Sequence, residues 1–230
     1  MKNTIWATLL LILFTTASCK KNTAKPEPEP EPESPTAMDM RQYVIVGEYT
    51  FVLGGKSFLH PILLTFNEGG KTDIYDYAAV GKGQYNYTFS GETLTINYGG
   101  ATNWVFQISN ESISSATGVS SSIKNFKLYR VPETNQFSGN TFSGMLSARE
   151  NSVILPFKYS FNDTQFGESN VGQPTLTYAY TVIKNLAAVT TINQVIRYYL
   201  VINGKLTVSR YDLASATPAK FFYGSITKDE

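Results

Sequence analysis

The sequence predicts an all-β protein. Three observations carry that prediction: 13% aromatic residues with 15 Tyr and 14 Phe, 17 Gly, and apolar residues that alternate with polar ones from residue 43 onward. Aromatic and β-branched side chains suit a pleated, half-buried surface, and Gly supplies turns between short strands. A helical bundle would draw on Ala, Leu, Glu and Lys instead. With 230 residues, 42% of them hydrophobic and 16% charged, the chain has material for one or two ordinary cores. Its 19 Lys+Arg against 18 Asp+Glu leave a formal charge of +1. That balance gives no overall attraction for nucleic acid, which is not an expected partner.

In chain order, residues 1–18 read as a cleaved signal peptide. Lys2 provides a positive start, residues 5–14 an apolar stretch, and residues 15–18 a small-residue exit. A transmembrane helix needs about 20 apolar residues, more than this stretch or any later one offers. The single cysteine follows at once, in Thr16-Ala17-Ser18-Cys19. This tetrapeptide resembles a lipobox, with Thr16 where Leu is usual, and to that extent the chain looks like a bacterial lipoprotein. The resemblance implies that Cys19 is acylated, becomes the mature N-terminus and attaches the protein to a membrane. With Lys20 rather than Asp after the cysteine, it implies the outer membrane, facing either the periplasm or the cell surface. With that thiol consumed, stability must come from the core without disulfides.

Residues 19–41 form the anchor and a stalk. Five of the ten prolines fall in residues 20–36, in a regular alternation from Pro26 to Glu33. Proline fixes φ and the neighbouring carboxylates repel one another, so the segment favours extended polyproline II at about 3.1 Å per residue and spans roughly 40 to 50 Å.

Residues 43–131 show about eight runs of period 2. Tyr85, Tyr87 and Phe89 share one face; after Ser90-Gly91, Leu94 and Ile96 alternate with Thr93 and Thr95, which predicts a hairpin. The second half echoes the first. Pro61 to Asn67 and Pro156 to Asn162 share P-x-x-x-[TS]-F-N, Tyr87 to Ile96 resembles Tyr199 to Val208, and Gly47-Glu48-Tyr49 matches Gly139-Asn140-Thr141 as the opening of a first strand. Two tandem antiparallel meander units are therefore expected, at 42–132 and 133–230. The second lacks an evident counterpart of residues 112–131, which leaves it open or incomplete, and residues 184–196 suit either a strand or a short helix. A Gly-opened strand, a Phe-rich strand and Y-x-x-x-G-x-L in a hairpin resemble the small lipocalin-like β-barrels of bacterial lipoproteins, although Tyr49 stands where true lipocalins have Trp. That resemblance implies closed or nearly closed barrels, with or without a ligand cavity.

Catalytic chemistry finds little footing. Nucleophilic catalysis commonly relies on a His beside Ser or Cys, and the one histidine, His60, precedes Pro61 inside an apolar strand, where a strand or edge His with a backbone partner is expected. Zinc would need three or four N or S ligands, and the phosphate-binding glycine motifs are missing. Glu68, Asp73, Asp76, Asp163 and Glu168 are expected to be polar turn residues, and they lack Ca²⁺-loop spacing. No enzyme, no metal and no cofactor are expected. The dense aromatics offer a binding surface instead: Tyr85, Tyr87, Trp104, Tyr178 and Tyr180 suit an amphipathic cavity or sugar stacking, unless they simply fill the cores. The expectation is an anchored, noncatalytic binding lipoprotein for a small amphipathic ligand or glycan. The alternative is an interaction module of an envelope complex, with a protein partner on exposed sheet edges.

Overall fold

A computed structural model describes residues 38–53, 56–75, 83–99, 102–148, 154–212 and 222–230. The signal peptide, Cys19, the stalk as far as residue 37, Asp76 and Tyr77 lie outside the described residues, and Met40, expected in the stalk, is buried in the core. Met38–Glu230 form one compact unit, built as two nearly closed antiparallel barrels in tandem.

The first barrel contains β1 (Tyr43–Leu53), β2 (Lys56–Asn67), β3 (Lys71–Tyr75), β4 (Gly83–Ser90), β5 (Thr93–Asn97), β6 (Asn103–Ser109), β7 (Ser112–Thr117) and β8 (Ile123–Arg130). They form an up-and-down meander, and the last strand, β8, returns to pair with β1. β7 and β8 touch without a ladder between them, which leaves one seam in the wall. Ile45, Ile62, Leu64, Phe66, Leu94, Ile96, Trp104 and Phe106 point inward and fill the barrel. Alternation explains why: each strand sends every second side chain inside.

Gly47 sits where β1 meets a bulge in β8, with Val46 opposite Lys127 and Glu48 opposite Lys124. A Cβ on Gly47 would stand 2.7 Å from the Phe126 ring. The extra residue in β8 thus turns a phenyl group into the core over a position that has no side chain.

The second barrel contains β9 (Thr141–Ala148), β10 (Ile154–Phe161), β11 (Gln165–Ser169), β12 (Tyr178–Ala179), β13 (Thr181–Ile183), β14 (Ala187–Ile192), β15 (Val195–Ile202), β16 (Lys205–Asp212) and β17 (Phe222–Lys228). Tyr180 alone separates β12 from β13, so the two act as one bent strand that pairs first with β11 and then with β14. β17 pairs with β9 and supplies the closing strand. It is the counterpart of β8 that the sequence comparison did not find. Residues 184–196 are strand and turn rather than helix: Lys184 and Asn185, like Asn193 and Gln194, take positive φ in tight turns on either side of β14.

Register sorts the internal resemblances. Pro61 to Asn67 lies on β2 and Pro156 to Phe161 on β10, both second strands. Gly47 pairs with Ile62 and Gly144 with Phe157, each one residue beyond the shared proline. The equivalent of Gly47 is therefore Gly144, and Gly139 lies in the turn before β9. The hairpin pair is not equivalent. β4 and β5 are the fourth and fifth strands of their barrel, whereas β15 and β16 are the sixth and seventh of theirs when β12 and β13 count as one.

The barrels pack wall to wall. Val44 and Leu63 on the outside of β1 and β2 meet Leu186, Ala187, Val189, Tyr198 and Leu200 of the second barrel in one apolar cluster. Both faces of β2 and β15 are consequently buried, which accounts for the unbroken apolar runs around Leu63 and Leu200. His60 lies in this junction at 2% exposure. Its Nδ1 is 2.6 Å from Ser209 Oγ and its ring 5.2 Å from that of Tyr198. The histidine thus has a side-chain partner from the other barrel. Polar ties flank the cluster: Lys184 Nζ donates to the Phe66 carbonyl at 2.8 Å, and Asn185 Nδ2 to the Pro132 carbonyl at 2.9 Å.

Candidate functional site

The interior of the second barrel is aromatic for most of its depth. At one end Phe137, Phe142, Phe161 and Phe166 pack together, and Tyr180 closes that end. Its hydroxyl donates to the Asn162 carbonyl at 2.6 Å while Asn135 Nδ2 donates to it at 3.2 Å. Above this floor the alternation of four strands brings polar groups inward. Glu168 shares the inner face of β11 with Phe166, Arg197 that of β15 with Tyr199 and Val201, and Arg210 that of β16 with Val208. Tyr159 stands on β10 directly opposite Glu168.

Arg197 and Arg210 are themselves cross-strand partners. Two cations so placed repel, and Glu168 reaches across the barrel to separate them. Its Oε1 accepts from Arg197 Nη2 at 2.7 Å, Arg197 Nε at 3.2 Å and Arg210 Nη1 at 3.2 Å. Arg197 completes its set by donating through Nη1 to the carbonyls of Val195 and Ile192. Burial opposes its charge, but Glu168 more than offsets that and its pKa is raised.

The rest of the layer is unsatisfied. Tyr159 Oη, Tyr199 Oη, Glu168 Oε2 and Arg210 Nε are buried without a hydrogen-bond partner. Both tyrosines are fully buried, their ring centroids 5.5 Å apart. Burial above all, then nearby charge, pushes both hydroxyls well above the ordinary tyrosine range, so they remain donors. The Glu168 carboxylate acts on Tyr159 chiefly through its charge, with no hydrogen bond of normal geometry between them. Toward the other end, Phe157 and Phe222 make an apolar rim, 5.4 Å apart edge to face, with Arg210 over the Phe222 ring. Residues 149–153 and 213–221 lie outside the described residues.

Glu168 is therefore no turn residue, as the sequence reading had it, but the hub of a buried cluster. Asp73 too lies in a strand, β3, rather than a turn, and accepts from Asn67, while Asp163 is a surface polar group that accepts from Ser138. The five aromatics singled out from the sequence divide between the barrels. In the first, Tyr98 lies stacked between Tyr85 and Trp104, 4.7 and 4.4 Å from them. Tyr98 thus covers one face of each ring. Tyr87 packs edge-on against Phe66. In the second barrel Tyr180 is tied as described, and Tyr178 adjoins the polar layer, 5.9 Å beneath the Arg197 guanidinium.

Other clefts lie elsewhere. An open groove of about 590 Å³ is lined by Asp39, Arg41, Glu68, Lys71 and Lys184. Its cations already have partners: Arg41 binds Asp39 at 2.8 Å, Lys71 Asn86 at 2.6 Å, and Lys184 the Phe66 carbonyl. A cleft of about 380 Å³ follows the β7–β8 seam past Ile113, Ala116, Val119 and Phe126. Among the described residues, no group of three or more His, Cys, Asp or Glu is arranged to hold a metal ion, and no helix is long and apolar enough to cross a membrane. Comparison with protein families, with curated protein sequences and with solved structures finds no match.

Proposed function

We propose that the protein is an envelope lipoprotein that binds a small amphipathic molecule in its second barrel and does not transform it. The observation that carries this reading is the set of buried, unpartnered polar atoms on Tyr159, Tyr199 and Arg210. A buried polar group without a partner costs on the order of 1 to 3 kcal/mol, and folded proteins rarely leave several together. A bound molecule that supplies acceptors removes that cost. The first barrel, filled with its own side chains, serves as the scaffold against which the second is packed. His60 meets β16 through Ser209, whose place in the strand alternation is opposite to that of the inward Arg210, so it stands outside this layer and supplies no base there. Two measurements test the reading. The melting temperature of the protein is expected to rise with one fraction of a lipid and oligosaccharide pool, and no rise with any fraction would count against binding. Palmitate labelling is expected in the wild type and absent in Cys19→Ala, and labelling that survives the substitution would remove the anchor at Cys19.

The β7–β8 seam, where no ladder joins the two strands, favours one other reading, an interaction module whose protein partner docks along that seam.

A further inference from the structure

We infer that the polar layer of the second barrel recognises the carboxylate of an amphipathic acid, with Arg210 pairing with the anion and the Tyr159 and Tyr199 hydroxyls donating to it. This rests on the reading of the second barrel as a binding site and names the chemistry of its ligand. Two counts lead to it. The first is charge: among the described side chains two guanidinium groups face one carboxylate, so these three groups together carry one positive charge in excess. Uncompensated charge inside a protein is costly and calls for a counter-ion. The second is hydrogen-bonding capacity. Three buried donors, Tyr159 Oη, Tyr199 Oη and Arg210 Nε, have no acceptor, against one idle acceptor oxygen, Glu168 Oε2. A ligand that corrects both counts brings a single negative charge and several lone pairs, which is what a carboxylate offers.

The two arginines divide the work. Arg197 spends its donors on Glu168 and on two backbone carbonyls, so it is a positioning residue that holds the carboxylate of Glu168 away from the ligand position. Arg210 gives Glu168 a single bond and keeps Nε idle, and its side chain is 23% exposed. It is the cation on the accessible side. The body of the ligand is apolar, because Phe157 and Phe222 stand at the rim while Phe161 and Phe166 form the floor. An acyl chain and a small aromatic ring both satisfy that requirement.

The test uses the full chain with Cys19→Ala, titrated calorimetrically with dodecanoate, dodecanol and benzoate. Dodecanoate or benzoate is expected to bind, and dodecanol about tenfold or more weakly than dodecanoate, since it lacks the charge-assisted bonds. A preference between the two acids assigns an acyl or an aryl body. Arg210→Met is expected to weaken the bound acid by about tenfold or more. The double variant Tyr159→Phe with Tyr199→Phe keeps both rings and removes only hydroxyls, so it answers the same question should Arg210→Met fold poorly. Dodecanol binding as tightly as dodecanoate, or acid binding indifferent to both variants, would overturn the carboxylate while leaving a binding barrel. Failure of both acids to bind, while some neutral fraction of the lipid and oligosaccharide pool does bind, would overturn it equally. Only failure of the whole pool would count against the binding reading itself.

Discussion

Glu168 decides what the second barrel contains. It holds two guanidinium groups that strand pairing forces together, and at 13% side-chain exposure it does so largely out of water. Removing its charge leaves two buried cations facing each other, so Glu168→Gln is expected to cost about 3 to 5 kcal/mol of stability, read as a lowered midpoint in urea unfolding at unchanged slope. The tyrosines give a pH signature. Burial raises the pKa of Tyr159, Tyr198 and Tyr199 above the unfolded value of about 10. A raised folded pKa contributes stability in full below the unfolded pKa and loses it as the pH climbs beyond it. Unfolding is therefore expected to become easier above pH ~10, with these three rings silent at 295 nm until the chain unfolds; smooth ionisation of every tyrosine in the folded state would contradict their burial. The cluster was only half legible in the sequence. Period 2 across Arg197, Tyr199 and Val201 already puts an arginine on an apolar face, a signal that an acid must lie opposite. That acid is 29 residues away on a non-adjacent strand, and no local pattern connects the two.

At the scale of elements, the barrels close because particular strands approach one another very tightly. A Cβ on Gly144 would stand 2.7 Å from Ile226 Cγ2 and 3.3 Å from the Ile226 Cα. β17 must therefore move away from β9 to admit any side chain at that position. Gly144→Ala is expected to cost about 1 to 3 kcal/mol through overpacking and to speed amide hydrogen exchange at Asp229, whose N–H donates to the Thr141 carbonyl at the start of β9. Unchanged exchange there would mean that the closing seam does not depend on this contact. Strands were well read from alternation, as the eight runs over residues 43–131 correspond to β1 through β8. The fold class and the pair of barrels followed from the same period. The closing strand β17 escaped because Phe222-Tyr223-Gly224 follows a connection with no periodic pattern, and its role depends on a partner at the other end of the meander. The resemblance of Tyr199 to Val208 to the β4–β5 hairpin was misleading for a related reason. Hairpins with a Gly in a tight turn look alike wherever they stand in a barrel, because the turn geometry rather than the position sets the residues.

On the scale of the whole molecule, the two barrels share a dry junction in which Leu63 and Val44 have no exposure and Tyr198 only 2%. Consecutive residues of β15 thereby serve two purposes: Tyr198 faces the first barrel and Tyr199 faces the interior of its own. The junction and the polar layer are thus opposite faces of one strand, and the filled first barrel braces the wall that carries Arg197. Alternation of polar and apolar residues could not announce this, since a strand buried on both sides has none. The central claim is that this braced second barrel holds an amphipathic molecule against Arg210. Native mass spectrometry of the full chain with Cys19→Ala, isolated gently from a bacterial host and then offered pooled lipids and oligosaccharides, tests it most directly. A small-molecule mass on that protein that is lost in the further variant Arg210→Met is the expected result; a bare, folded protein under every condition would contradict it.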